Sequence, residues 1–280
     1  MNKLTTAKKV AVVSALIEGC SVRATSRLTG VAKGTILRLL AEVGTACADY
    51  HDRTVRNLRT QRVQADEIWS FCYAKDKNVT PAIRETNPRA GDVWTWTAMD
   101  ADSKLMISWL VGDRRVTTAR AFMNDLASRL ANRIQLTTDN YTLYLNAVDD
   151  AFLTDVDYAQ LHKIYNANAT GRYSPAICIG CKTQEVFGNP DPKHISTSFV
   201  ERQNLTMRMH MRRFTRLTNA FSKKFENHCH SVALFYLHYN FCRVHQTLRV
   251  TPAMEAGIAT TVWSVQNIVE LTEPSLASAA

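Results

Sequence analysis

No run in the 280 residues approaches the ~18 consecutive apolar positions that a bilayer-spanning helix requires. The best candidate, VALFYLHYNF at 232–241, is short and is interrupted by His238. The basic, apolar start of the chain follows a helical period and is not followed by a small-residue cleavage site, so a secretory leader is not expected. There is no lipidation signal and no strongly amphipathic basic helix, which argues against a membrane-surface protein. Cysteine is scarce and scattered: of seven residues, an odd number, six read as reduced, mostly buried thiols in a cytosolic protein. The one close pair, Cys178 and Cys181 in CIGC, has no second Cys or His pair at finger-like spacing. His162 and His194 are the nearest candidates and are distant in sequence, so a loop carrying two thiols is expected rather than a zinc site.

Negative charge is also in short supply. Lys and Arg number 34 against 25 Asp and Glu, for a net charge of +9. An excess of this size favours a polyanionic partner, of which nucleic acid is the commonest. The length suits one large domain or a small one plus a medium one, and 46% hydrophobic residues are enough to bury a core. The shortage of acids is sharpest between Lys193 and Lys224. Eight cations lie there (Lys193, Arg202, Arg208, Arg212, Arg213, Arg216, Lys223 and Lys224) with one acid, Glu201. Ordinary exposed helices mix both signs.

Three short helices are expected at the front. Val10, Val13 and Ile17 mark one face of the first, and Gly19 lies just past its end. Ser21 can cap the second, which stops at Gly30. The third, AKGTILRLLAEVG, carries Ile36, Leu39, Leu40 and Val43 on one side. This is a helix-turn-helix pattern, in which the third helix enters the major groove. Lys33, Thr35 and Arg38 lie off its apolar face near its start, where base-reading residues sit. Residues 1–60 hold ten Lys or Arg against four Asp or Glu, which favours DNA over a plain helical bundle. Residues 45–61 read as a helix or a linker.

The pattern then becomes strand-like. RVQADEIWSF holds Asp66; residues 93–99 and 104–111 form a hairpin around the turn DADS; a helix follows over TTARAFMNDLASRLAN. IQLTTDN is a strand ending in Asp139, YTLYLNAVDDAFL a helix and DYAQLHKIY a strand. An irregular stretch is expected from Asn166 to Pro192, and two helices beyond it, the first containing Glu201.

Asp66 and Asp139 are 73 residues apart, and Glu201 lies 62 further on. In a mixed sheet, two strands can bring the aspartates together and a packed helix can add the glutamate. Three carboxylates at one place repel each other. Mg²⁺ prefers hard oxygen ligands, takes only a few carboxylates and relieves that repulsion; two such ions suit phosphoryl transfer. The surrounding cations would grip a phosphate backbone. Arg208, two helical turns after Glu201, falls on the same face. By strand alternation Glu67 points away from Asp66, so only one of the pair is expected to serve the site. Asp100 and Asp102 read as turn residues, Asp149 and Asp150 as exposed helix positions, Asn140 as local structure, and Trp94, Trp96 and Trp109 as hairpin packing. His245 is expected to brace the last helix.

VQADEIWSF, LTTDNY, FVERQNLTMRMHMRRFTRLTNAFSKK and YNFCRVHQTLRVTPAMEAG resemble the DDE transposases of the insertion-sequence-one type over roughly residues 60–258. The resemblance implies an α/β fold: a ribonuclease-H-like mixed-sheet core with helices on both faces, preceded by the small helix-turn-helix domain. It implies that Asp66, Asp139 and Glu201 are the catalytic, metal-binding triad and that Arg208 is the basic residue following the glutamate. The implied reaction frees 3′-OH groups at transposon ends and joins them to target DNA, with Mg²⁺ or Mn²⁺, two ions, as cofactor. Arg202, Arg208, Arg212, Arg213 and Arg216, with Lys33, Thr35 and Arg38, would contact DNA. The expected partners are double-stranded DNA, as element ends and target, and further copies of the chain, as a dimer or larger; no membrane is expected. The expected setting is the bacterial cytoplasm, on the nucleoid. The expected divisions are 1–46 for the helix-turn-helix, 47–62 for a linker or connecting helix, 63–258 for the catalytic domain and 259–280 for a tail. Relatives of the founding element carry a Cys-rich zinc-binding segment before the helix-turn-helix. Residues 1–6 leave no room for one, so end recognition is expected to rest on the helix-turn-helix. The rival readings are a catalytically idle DNA-binding regulator derived from a transposase and a stand-alone metal-dependent nuclease.

Overall fold

The computed structural model describes residues 4–166, 177–215 and 220–273. In chain order the elements are α1 (Thr6–Ile17), α2 (Val22–Thr29), α3 (Lys33–Thr54), β1 (Arg62–Cys72), α4 (Pro81–Thr86), β2 (Gly91–Asp100), β3 (Met106–Gly112), α5 (Val116–Ser128), β4 (Ile134–Asp139), α6 (Leu143–Phe152), β5 (Val156–Tyr165), β6 (Cys178–Phe187), α7 (Ser198–His210), α8 (Phe225–Phe241), α9 (Pro252–Glu255) and α10 (Val265–Glu270). Contacts divide the described residues into two units. One is drawn from Met1–Arg56, Trp69–Trp94 and Asn204–Ala280, the other from Asn57–Ile68 and Thr95–Gln203.

In the first unit, side-chain caps start α1 and α2, the second at Ser21 as expected. The Thr5 hydroxyl accepts from the Lys8 amide at 3.3 Å, and Ser21 Oγ from the Ala24 amide at 3.1 Å. Such caps satisfy amides that the first turn leaves without a partner. Gly30 ends α2 at φ 71°, a left-handed conformation that costs other residues energy. The third helix is longer than expected: it runs through Gly44 to Thr54. Gly44 does not stop it because it is a packing contact. A Cβ there would lie 2.4 Å from that of His230 on α8. Ile36, Leu39, Leu40, Val43 and Cys47 fill the buried face of α3. Within α8, His228, Ser231 to Leu237 and Tyr239 to Phe241 are all buried.

His228 anchors this unit through polar contacts. It is fully buried, with Nε2 3.2 Å from Ser70 Oγ and Nδ1 2.9 Å from Ser222 Oγ. Ser70 in turn donates to the Val93 carbonyl, and Arg213 donates to Ser222 Oγ at 2.7 Å. Burial and the Arg213 charge push His228 down to about 3, so the ring is neutral near pH 7.

The sheet has six strands in the order β3-β2-β1-β4-β5-β6. β4 runs parallel to both β1 and β5, and β6 is antiparallel to β5. Between β1 and β2 the contacts run in opposite senses: Arg62 meets Ala101, Asp66 meets Thr97 and Ser70 meets Val93. A hairpin joins β2 to β3, closed by the Asp100 amide on the Leu105 carbonyl. An antiparallel three-strand meander continued by parallel β4 and β5 is the ribonuclease-H-like arrangement. Helices cover both faces. Glu67 of β1 bonds Tyr144 of α6, whereas Gln64, of opposite parity on the same strand, bonds the start of α7. The second unit buries Trp96 against Tyr144, with ring centroids 5.5 Å apart, and packs Phe122, Met123 and Leu126 of α5 nearby. Each such apolar side chain contributes about 1.5–3 kcal/mol through burial. Asp100 serves the turn: it accepts from Thr60, the Asp102 amide and Ser103.

One strand was not expected. β6 lies within the stretch read as irregular, because its residues are exposed on both faces and show no alternation. Its pairing with β5 also shifts register between Ile164 and Tyr165. Cys178 and Cys181 stand exposed on it as free thiols. Among the described residues, no group of three metal-ligating side chains includes them.

Candidate active site

The site lies within the second unit, where the parallel pairing of β1 with β4 ends. The paired register of β1 and β4 stops at Ala65 and Thr138, so Asp66 and Asp139 follow directly on adjacent strands. α7 is brought to the same place by Gln64. Its side-chain oxygen accepts from the amides of Phe199 (2.8 Å) and Val200 (3.1 Å), satisfying two donors of the first turn. Glu201 follows one residue later and faces the end of the sheet.

One carboxylate oxygen each from Asp66, Glu67 and Asp139 lies within 4.8 Å of the others. This corrects the expectation that Glu67 is turned away from the site. Glu67 does belong to the opposite face of the strand, but β4 ends at Asp139 while β1 continues to Cys72, so no β4 residue lies beside Glu67 to separate the faces. Asp66 Oδ1 also turns back to accept the Glu67 amide at 2.8 Å. Glu67 is deeply buried, its side chain 2% exposed. Arg114 Nε donates to Glu67 Oε1 at 2.9 Å and Arg114 Nη2 binds the same oxygen, while Tyr144 donates to Oε2 at 2.9 Å. A carboxylate next to the first predicted aspartate was visible in the sequence; its anchoring by two distant residues was not.

Glu201 stands outside this group of three. Lys163 of β5 and the Thr197 hydroxyl both donate to its carboxylate. It still acts on the others through its charge. Burial first, then the charges of Glu67, Asp139 and Glu201, push Asp66 up to about 8. Asp139 is raised by burial and by Glu201, against the Tyr141 amide and the Arg114 and Lys163 charges. Glu67 is raised by burial and by Asp139, with Arg114 and Tyr144 opposing. Burial works to lower Lys163, and its bond to Glu201 outweighs that and raises it. Hard oxygen donors held at one place against their own repulsion fit a divalent cation of the Mg²⁺ or Mn²⁺ type.

The predicted DNA contacts are dispersed. Lys33 and Arg38 are exposed at the start of α3, with Thr35 half-buried between them and 3.5 Å from Arg38 Nη2. Arg202 and Arg212 are exposed and Arg208 is half-buried. Arg213 turns inward to Ser222. Arg216 lies outside the described residues. Asn140 bonds His162 at 3.1 Å, a local contact.

No protein-family model matches the chain, and no curated protein does. Solved structures do. A Mos1 transposase paired-end complex with the left transposon end aligns at 13% identity over 56% of this chain and 59% of that chain, with a TM-score of 0.25. The piggyBac transposase synaptic complex with hairpin DNA aligns at 9% identity over 95% of this chain and 69% of that one, with a TM-score of 0.38. The Mos1 strand transfer complex gives 12% identity, 85% and 78% coverage and a TM-score of 0.26. The chain thus spans about 59% of the first of these. TM-scores this low carry no weight by themselves, and the fold assignment rests on strand order and sense.

Proposed function

We propose that the protein is a metal-dependent DNA transposase of the insertion-sequence-one type, acting on the ends of an element and on target DNA. The observation that supports this reading is the meeting of Asp66 and Asp139 where the parallel pairing of β1 and β4 ends, with Glu201 near by on α7, in a chain of net charge +9. Asp66, Asp139 and Glu201 are the proposed catalytic and metal-binding residues. Divalent ions held there, two in number, would supply a Lewis acid for the attacking and leaving oxygens of phosphoryl transfer. The chain's own residues bind and orient. Arg202, Arg208 and Arg212 hold DNA phosphates, and Lys33, Thr35 and Arg38 read the major groove from a helix-turn-helix over residues 1–46. Joining two ends requires more than one copy, so the working form is a dimer or larger.

The test uses purified protein, Mg²⁺ or Mn²⁺, and labelled duplexes carrying the ends of the element that encodes it. Wild type should cleave to leave 3′-OH groups and join them to a second DNA. Asp139→Ala should lose both reactions and retain DNA binding. Cleavage that persists in Asp139→Ala removes the site assignment. Binding without cleavage by the wild type identifies a regulator, and cleavage without joining a nuclease.

A further inference from the structure

Arg114 stands beside the carboxylates and was not among the residues singled out in the sequence. It lies in the short connection between β3 and α5, which is fixed on both sides. Trp96 Nε1 donates to the Asp113 carbonyl at 3.0 Å, and the Tyr141 hydroxyl donates to the Arg114 carbonyl at 3.3 Å. The guanidinium carbon sits 3.8 Å from the centre of the Tyr141 ring, and both Nε and Nη2 meet one oxygen of Glu67. Tyr141 also gives its amide to Asp139 Oδ1 at 3.1 Å. A cation is therefore held rigidly next to Asp139, with its side chain still 35% exposed.

Glu67 has no need of a metal. One of its oxygens takes Arg114 and the other takes Tyr144. Three N–H or O–H donors already occupy most of its acceptor positions, and moving the carboxylate toward an ion would strain buried bonds that cost free energy to break. A guanidinium stacked on a ring and pinned along one edge is preorganised, and its planar fork matches phosphate oxygens.

We propose that Arg114 is a phosphate-binding residue of this site and that Glu67 is its anchor, not a metal ligand. The ligand is a phosphodiester group of DNA lying against the carboxylates. This rests on the proposed function, since it concerns the DNA that the site would act on.

Two measurements test it. In EDTA, the binding of a short labelled DNA duplex is followed against salt concentration. Arg114→Gln should lower the slope of log affinity against log salt by about 0.9, the value for one lost phosphate contact, and Arg114→Lys should restore it. An unchanged slope overturns the proposal, and a merely structural role would not move it. Binding of Mn²⁺ alone is then measured by calorimetry. Glu67→Gln and Arg114→Gln should both still bind the ion, with affinity shifted only by the charge each removes. Loss of Mn²⁺ binding in Glu67→Gln overturns the anchor role. If Glu67→Gln fails to fold, the half-exposed Arg114 variants still decide the matter through the slope. Should Asp139→Asn bind Mn²⁺ undiminished, the metal-site reading falls, and the slope, measured without metal, judges Arg114 separately.

Discussion

Replacing Asp66 with asparagine should stabilise the metal-free protein at neutral and alkaline pH. Burial and the nearby charges of Glu67, Asp139 and Glu201 push the Asp66 carboxyl from 3.8 up to about 8. In the unfolded chain it ionises near ~4. Between those values the folded protein keeps a proton that the unfolded chain releases. Wild-type stability therefore falls as pH rises from ~4 to ~8 and is level above that. Asparagine has no proton to release, and its side-chain oxygen can still accept the Glu67 amide. The variant should thus match wild type below pH ~4 and gain steadily up to pH ~8. A rise of that size would be worth roughly 5 kcal/mol for a group sealed from water. Asp66 is only half-buried, so screening reduces this, and about 2 kcal/mol is a reasonable expectation. In a chain of this size that corresponds to about 4–8 °C in Tm. Thermal unfolding by circular dichroism, in EDTA across this pH range, reads the effect directly. Saturating Mn²⁺ should reverse the ranking, because only wild type gains the ion's stabilisation, about 2.7 kcal/mol at a hundredfold excess over Kd. A variant less stable than wild type at every pH, or a gain that ignores pH, would refute the crowded-carboxylate account.

Lys163→Met should raise Mn²⁺ affinity, measured by calorimetry, because the ammonium no longer occupies Glu201; a fall would mean that Lys163 props Glu201 in place. Gly44→Ala should destabilise the protein by about 1–3 kcal/mol in urea unfolding, since the added Cβ meets both the Cβ and the backbone of His230. His228→Gln should cost about 2 kcal/mol at pH 7 through its two buried bonds to serine. It should also flatten the acid limb. With His228 held near 3, the unfolded chain binds the proton first, so wild-type stability rises with pH between ~3 and ~6.5. A variant that keeps the full slope in a pH series of unfolding curves would contradict this.

Much of the fold could be read locally. Ser21 and Gly30 bound α2 through chemistry contained in a few residues, and the hairpin at DADS is set by Asp100 and its neighbours. Asp139 closes β4 where that strand's apolar run stops, and Asp66 lies within β1, as the local pattern has them. The failures share a cause: each was decided by a partner distant in sequence. Gly44 looks like a stop signal, yet α8 requires its lack of a side chain. β6 has no buried face of its own and exists through pairing with β5. Glu67 obeys strand alternation, and the end of β4 beside it still lets its carboxylate reach Asp66, with Arg114 and Tyr144 holding it. Nor could the sequence show that Trp69–Trp94 groups with the terminal helices rather than with the strands on either side of it.

The charges at the site bear on the proposal that it takes a cation. Four acids act on one another there: Asp66, Glu67, Asp139 and Glu201. Two cations stand against them, Arg114 on Glu67 and Lys163 on Glu201. With every group ionised, four negative charges against two positive leave two uncompensated, and they fall on the pair of aspartates, Asp66 and Asp139. Burial makes that excess costly, and the raised Asp66 shows the protein relieving part of it by keeping a proton. A proton cancels one charge, whereas a divalent ion cancels both and accepts the oxygens as ligands. The outer acids differ in how firmly they are held. Glu67 is sealed from water, while Glu201 is 38% exposed and tied to a flexible lysine. Glu201 can therefore exchange its ammonium for a metal at little cost, and Glu67 cannot, which is why a triad drawn from Asp66, Asp139 and Glu201 is better suited to hold an ion than the tighter cluster that includes Glu67.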